Sequence, residues 1–280
     1  MPRFTVEYTP RCHASGNTDN IRKVKFMANF SNNNDIDALF KAQDLIYDSW
    51  EAETKAERIK LAHQAIALSE DCADAYALLA REAAKNIVEE RKYYEQAVAA
   101  GIRAIGEDGF KEYAGHFWGF LETRPYMRAR AGLAECLWDM GERAESTEHL
   151  QDMLKLNPGD NQGLRYRLTF QLIAQDDLAG ADALLSLYED KGFAHWEFNK
   201  ALLEFKRNGS GKIANKALAS AHENNGFVVG YLNGQRTVPK KQPPGYSIGS
   251  KEEAILYAQD NLENWKTAKG ALQWITQRLS

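Results

Sequence analysis

Residues 127–160, MRARAGLAECLWDMGERAESTEHLQDMLKLNPGD, contain two helical patterns divided by one glycine and closed by a turn. In the first, Leu133, Leu137 and Met140 recur at helical spacing and form one apolar stripe. Gly141 follows, the residue type that most readily ends a helix in the left-handed conformation. In the second, Leu150, Met153, Leu154 and Leu156 repeat the helical pattern. Asn157-Pro158-Gly159-Asp160 then imposes a turn, because proline cannot continue a helix and Asp160 can cap the next one.

This unit resembles a tetratricopeptide repeat (TPR), a helix-turn-helix element of about 34 residues. Leu133-Ala134 fill its positions 7 and 8, Leu137 position 11, Gly141 position 15, Ser146 position 20, Leu150 position 24 and Pro158 position 32. Arg130 at position 4 and Met153 at position 27 depart from it, since a large residue and a small one are wanted there. Small residues let paired helices approach, and large ones fill the space between. The same step finds weaker units at 39–72, 73–106, 161–194 and 195–228. The expected fold is all-α: a TPR-type helix-turn-helix solenoid with an aromatic insertion and a C-terminal capping pair of helices.

Two segments break the repeat. Residues 107–126 form an insertion in which six of twenty residues are aromatic. Residues 229–249 hold three of the seven prolines and no acid, which reads as a fixed, irregular loop. Ser250 with Glu253 reads as a capping box that opens a helix, and a last helix follows near 268–279. The expected organisation is an arm at 1–34 that is mobile or loosely docked, a solenoid at 35–228 and a capping region at 229–280.

The net charge of −4 gives no basic excess for phosphate binding. Three widely spaced cysteines suggest reduced thiols and a cytoplasmic setting rather than a disulfide framework. The N-terminus carries no apolar secretory core, and no run of about 20 apolar residues spans a bilayer. The six histidines form no ligand pair and no Cys-x-x-Cys accompanies them, so neither metal nor cofactor is expected. Gly209-Ser210-Gly211-Lys212 ends like a phosphate loop, but Ile213 stands where a Ser or Thr is needed, and an inter-helix turn is the plainer reading.

The stretch GHFWGFLETRPYMRARAGLAECLWDMG, the following LNPGDNQGLRY and the tail PKKQPPGYSIGSKEEAILYA are together similar to the TPR family named after suppression of tumorigenicity seven and its bacterial relatives. That resemblance covers roughly residues 40–275. It implies an all-helical repeat protein without a known reaction, and supplies no catalytic residues.

In such an array the first helix of each unit lines the concave face, mainly through positions 2, 5, 6, 9, 12 and 13. The expected groove is Arg128, Glu135, Trp138, Gln162, Arg165, Tyr166 and Thr169. Guanidinium forks bind carboxylates in bidentate fashion, so a protein or peptide partner with an acidic segment suits them. The opposing outcome is that Glu135 and Asp139 neutralise the arginines. Carboxylate-clamp TPR domains want Asn where Glu135 stands, which speaks against chaperone-tail binding. A second candidate is a pocket under the insertion at His116, Trp118, Glu122 and Arg124, where a His and a Glu beside aromatics could form an acid–base pair. The leading reading is a protein-binding adaptor or scaffold. The alternatives are an enzyme or ligand-sensing subunit using that pocket, and an RNA-binding helical repeat.

Overall fold

Helix-forming stripes closed by glycines and capping residues become, in the computed structural model, thirteen α-helices among the described residues, 33–188 and 190–279, with no strand. Most of the N-terminal arm, residues 1–32, lies outside them. The described chain divides into two compact units, 33–164 and 165–279.

The first unit holds α1 (Asn33–Glu51), α2 (Lys55–Leu68), α3 (Ala73–Glu82), α4 (Ile87–Tyr113), α5 (Arg124–Met140) and α6 (Arg143–Leu156). Each first helix pairs with the second helix that follows it, and each second helix with the next first helix. The first helices α1, α3 and α5 also touch in succession, which is the stacking of a helical-repeat array. Alanines carry much of the core: Ala42, Ala62, Ala65 and Ala75 pack with Leu78 and Leu79, and Ala97 and Ala129 with Leu133 and Leu137.

Local details of the best repeat follow its sequence. Gly141 takes φ 89°, and the Glu142 N–H donates to the Leu137 carbonyl at 2.9 Å, closing α5 in a Schellman turn. Ala134 and Ser146 are both buried, and the Ser146 hydroxyl donates to the Ala134 carbonyl at 2.6 Å. Asp160 caps the following helix, its Oδ1 accepting from the Leu164 N–H at 2.7 Å. The departure at position 4 also has a reason. Arg130 ties α5 to α6, donating to His149 Nδ1 at 3.0 Å, to Asp152 at 2.9 Å and, within α5, to the Tyr126 hydroxyl at 2.9 Å. Met153, the other departure, is fully buried.

Helical structure runs further into the aromatic insertion than an irregular segment would. α4 continues to Tyr113 across a break at Gly106, where φ is 66°, and α5 begins at Arg124. Between them a 3-10 turn, Phe117–Gly119, is packed by rings: Phe110 on Phe117 at 5.2 Å, Phe110 on Tyr126 at 5.1 Å, Tyr113 on Phe120 at 4.4 Å.

The second unit holds α7 (Leu164–Ala174, its first residue closing the first unit), α8 (Leu178–Tyr188), α9 (Ala194–Asn208), α10 (Lys212–Asn224), α11 (Phe227–Leu232), α12 (Lys251–Thr267) and α13 (Ala271–Leu279). Residues 229–232, read above as part of the loop, belong to α11 because Val228, Val229, Tyr231 and Leu232 are buried. The irregular segment therefore starts at 233. Ser250 Oγ accepts from the Glu253 N–H at 3.1 Å, the first half of a capping box. The second half is displaced. Glu253 is 1% exposed and takes the N–H groups of Gly249 at 2.7 Å and Ala194 at 2.9 Å, with the Asn225 amide at 2.9 Å. Trp274 of α13 stacks on Phe205 of α9 at 4.6 Å and donates to Asn215 of α10 at 2.8 Å.

Candidate binding faces

Arg128 stands where the repeat register puts it, near the start of α5 on the side where the first helices meet, but it is already engaged. Its guanidinium forks onto Asp74 of α3, Nε to Oδ1 at 2.9 Å and Nη2 to Oδ2. Gln43 of α1 donates to the same carboxylate at 2.9 Å. The guanidinium also lies over the Trp50 ring, 5.3 Å from its centre, and Trp50 packs on Tyr47 at 5.2 Å. Asp74 is 3% exposed, whereas Gln43, Tyr47, Trp50 and Arg128 are half-buried. Burial opposes the charge on Arg128, and the adjacent Asp74 more than offsets it, so the guanidinium titrates above its ordinary range. Tyr47 is also pushed up, first by burial and then by the Asp74 charge.

Neutralisation by Glu135 and Asp139 was the alternative to an open groove, and the acid that holds Arg128 is instead Asp74. Asp74 and Arg128 share position 2 of their units, an acid and a base in the same register on consecutive first helices, and that signal was available in the sequence. Trp138 is half-buried, with the Arg143 guanidinium 5.2 Å from its ring centre. Glu135 is half-buried beside it in the chain. Gln162 is half-buried, and both its amide atoms are shielded from solvent without a partner among the described residues. Gly132 does not open onto this face: a Cβ there would run into the Tyr94 ring of α4.

At the expected pocket under the insertion, His116 is exposed. Trp118 and Glu122 are half-buried. Arg124 folds back onto the turn, its Nε donating to the Trp118 carbonyl at 2.9 Å with the guanidinium 5.4 Å from the indole centre. The inserted aromatics are thus spent on packing one another and the start of α5.

In the second unit Arg165 and Tyr166 meet, and again an aspartate holds them. Arg165 Nε donates to Asp190 at 2.5 Å, and the Tyr166 hydroxyl to the same oxygen at 3.1 Å. The guanidinium lies 4.5 Å from the Tyr166 ring centre and 5.4 Å from that of Tyr188. Tyr166 also packs on His195 at 5.2 Å, and His195 Nε2 sits 3.0 Å from Asp260. Burial, the largest influence, raises the Tyr166 phenol well above its usual range. Thr169 is not on an open face. It is fully buried and its hydroxyl donates to the Arg165 carbonyl at 2.7 Å. Leu172 and Ile173 are buried too, because α7 is covered by neighbours: Asn264 of α12 donates to the Phe170 carbonyl at 3.0 Å and Lys206 of α9 to that of Ile173 at 2.8 Å. Among the described residues no group of three His, Cys, Asp or Glu side chains gathers to hold a metal, and no helix is long and apolar enough to cross a membrane.

Stacked helix-turn-helix pairs with small residues at the crossings define a TPR-like helical-repeat chain. Its resemblance to the suppression-of-tumorigenicity-seven family is carried by the sequence comparisons: the model of the ST7 protein family matches residues 26–155. The chain is 29% identical over 261 residues to a suppressor of tumorigenicity 7 protein-like of Gallus gallus, covering 85% of this chain and 47% of that protein. It is 27% identical over 262 residues to an ST7 homolog of Drosophila pseudoobscura pseudoobscura, covering 84% and 48%. The chain thus spans about half the length of the curated relatives it matches. Their names state no reaction. Among solved structures it is similar to YrrB, described as a TPR protein with an unusual peptide-binding site, at 18% identity and a TM-score of 0.48 over 74% of this chain and 91% of that one. That likeness is too loose to say anything about binding here.

Proposed function

We propose that this chain is a protein-binding helical-repeat scaffold rather than an enzyme, and that it holds a segment of another polypeptide on the first-helix face of residues 33–164. One observation supports the reading. Three consecutive first helices contribute Gln43, Tyr47, Trp50, Asp74 and Arg128 to a single network whose members, Asp74 apart, remain half-exposed. Side chains fixed in this way lose little freedom when a partner docks.

The network also changes the expected chemistry of the partner. With Asp74 neutralising Arg128, a strongly acidic segment gains little charge attraction here. Arg128 uses Nε and Nη2 on Asp74, and Nη1 donates to nothing among the described residues. A backbone or side-chain carbonyl suits it, with an apolar side chain against Tyr47. A reducing, cytoplasmic setting belongs to the same reading and is supported by the buried side chains of Cys72 and Cys136, neither of them in a disulfide among the described residues.

Charge reversal at Arg128 would break a buried pair and report on folding. The test is Gln43→Ala with Tyr47→Ala, in affinity purification from the native host. The variant is expected to keep its melting curve and lose the principal partner. A folded variant that retains every partner removes this face from consideration.

A further inference from the structure

A second kind of site lies in the second unit, away from the residues that sequence reasoning selected. A cavity of about 310 Å³ opens between α10, α11 and the loop that follows, lined by His222, Phe227, Gly230, Asn233 and Arg236 among others. That is at the small end of the range for pockets that hold small molecules. We propose that it binds a small molecule carrying a carboxylate or phosphate group, with Arg236 gripping the oxyanion and Phe227 covering the rest.

Three features point the same way. The first is an arginine with no acid. Arg128 and Arg165 are each consumed by an aspartate, whereas no described carboxylate pairs with Arg236, and residues 229–249 contain no acid at all. Its guanidinium instead lies within cation–π range of two rings of α11, 5.3 Å from the centre of Phe227 and 5.9 Å from that of Tyr231. Ring faces of this kind hold a guanidinium without using its N–H groups, which stay available to an oxyanion.

The second feature is the backbone that seats it. The Arg236 N–H donates to the Gly230 carbonyl at 2.7 Å. A Cβ on Gly230 would come within 3.2 Å of Arg236 Cδ, so the arginine stem lies close against this backbone and a larger residue at 230 would displace it slightly. An exposed arginine in an ordinary loop needs no such seat.

The third is the wall beside it. His222 of α10 lines the same cavity, an imidazole paired with no described carboxylate. Phe227, 40% exposed despite being apolar, supplies the wall that an organic ligand would cover.

The test uses the full chain and two probes, sodium benzoate and inorganic phosphate, titrated by calorimetry against sodium chloride of equal ionic strength. Benzoate carries a carboxylate on a ring that can cover Phe227, and phosphate carries the oxyanion alone, so the two arms separate the two sources of charge. Saturable binding of at least one probe is expected, about ten-fold weaker or worse in Arg236→Ala. Arg236→Lys keeps the charge but not the fork, and is expected to lose nearly as much. His222→Leu should lose several-fold. Arg236 is exposed, so both of its variants are expected to melt like the wild type. The proposal is overturned if neither probe saturates below roughly tens of millimolar, if chloride binds as well as either, or if Arg236→Ala leaves the affinity unchanged.

Discussion

Both units line their helix crossings with buried alanines, and they differ in how far their buried polar side chains reach along the chain. Residues 33–164 pack small residues at recurring positions, with Ala42, Ala62, Ala65, Ala75, Ala97, Ala129 and Ala134 all near zero exposure. Residues 165–279 bury alanines too, Ala181, Ala194, Ala201 and Ala221 among them, and add aromatic rings and buried polar side chains that bond across long sequence separations. Trp265 donates to the Tyr257 hydroxyl at 2.7 Å, which donates to Asn199 at 3.1 Å. Glu253 reaches the N–H of Ala194, 59 positions away, and Asn264 the carbonyl of Phe170, 94 positions away. A crossing of small residues spreads its stability over many weak contacts. A core with a polar hub concentrates its stability in a few bonds that fail together.

Glu253 gives the largest test of that difference. Glu253→Ala strands the N–H groups of Ala194 and Gly249 at a site that is 1% exposed, and leaves the Asn225 amide with only the Ser250 carbonyl. At ~1–3 kcal/mol for each stranded donor, the total is expected to reach about 5 kcal/mol. Hydrogen exchange should show early opening of 165–279 with 33–164 still protected. Equal loss of protection in both units would mean that they do not differ in this way.

The Arg128–Asp74 pair is the first unit's nearest equivalent to a hub. Arg128→Met leaves a carboxylate buried without its cation, and is expected to cost about 3–5 kcal/mol in urea denaturation. Arg128→Met with Asp74→Leu removes both charges and should recover most of the loss. A double variant as unstable as the single one would show that Gln43 and Trp50, rather than the ion pair, depend on this arrangement.

What could be read from the sequence follows the same division. The α5–α6 hairpin was legible because its evidence is local: the stripe of Leu133 and Leu137, Gly141 at the end, Asp160 as the next cap. α11 was missed because six residues are too few for a period, and the prolines downstream dominated the reading. On the candidate faces, the register put both Arg128 and Asp74 at position 2, but nothing local in either helix announces that the two side chains, 54 positions apart, meet. Thr169 failed for a related reason. A repeat register assigns faces as if each first helix were open on one side, and α7 is covered by α9 and α12 through bonds that no local pattern announces.

Ala134→Leu probes the small-residue side of the comparison. Ala134 is 1% exposed, and the Ser146 hydroxyl reaches its carbonyl at 2.6 Å, so the helices cannot separate without losing that bond. Three added carbons are expected to overpack the crossing by about 1–3 kcal/mol, read as a lower urea midpoint. An unchanged midpoint would show that α5 and α6 have room to spare.

The smallest expected effect concerns His149, which replaces part of the first unit's apolar packing with a neutral imidazole. Arginine can only donate, so the 3.0 Å contact from Arg130 Nε requires His149 Nδ1 to be unprotonated. Burial first, and then the Arg130 charge, hold His149 below its usual range. The unfolded chain therefore takes up this proton first as the pH falls. The stability that the neutral ring contributes is complete above about pH 6.5, the unfolded value, and drains away as the pH drops through the folded one. His149→Gln keeps an acceptor for Arg130 but cannot titrate. Urea midpoints at about pH 7.5 and about pH 5.5 separate the two, since carboxylates elsewhere contribute equally to both proteins. The wild type should lose more between those values than His149→Gln does. Equal losses would mean that His149 titrates alike in the folded and unfolded chains, and that Arg130 relies on Asp152 alone to join α5 to α6.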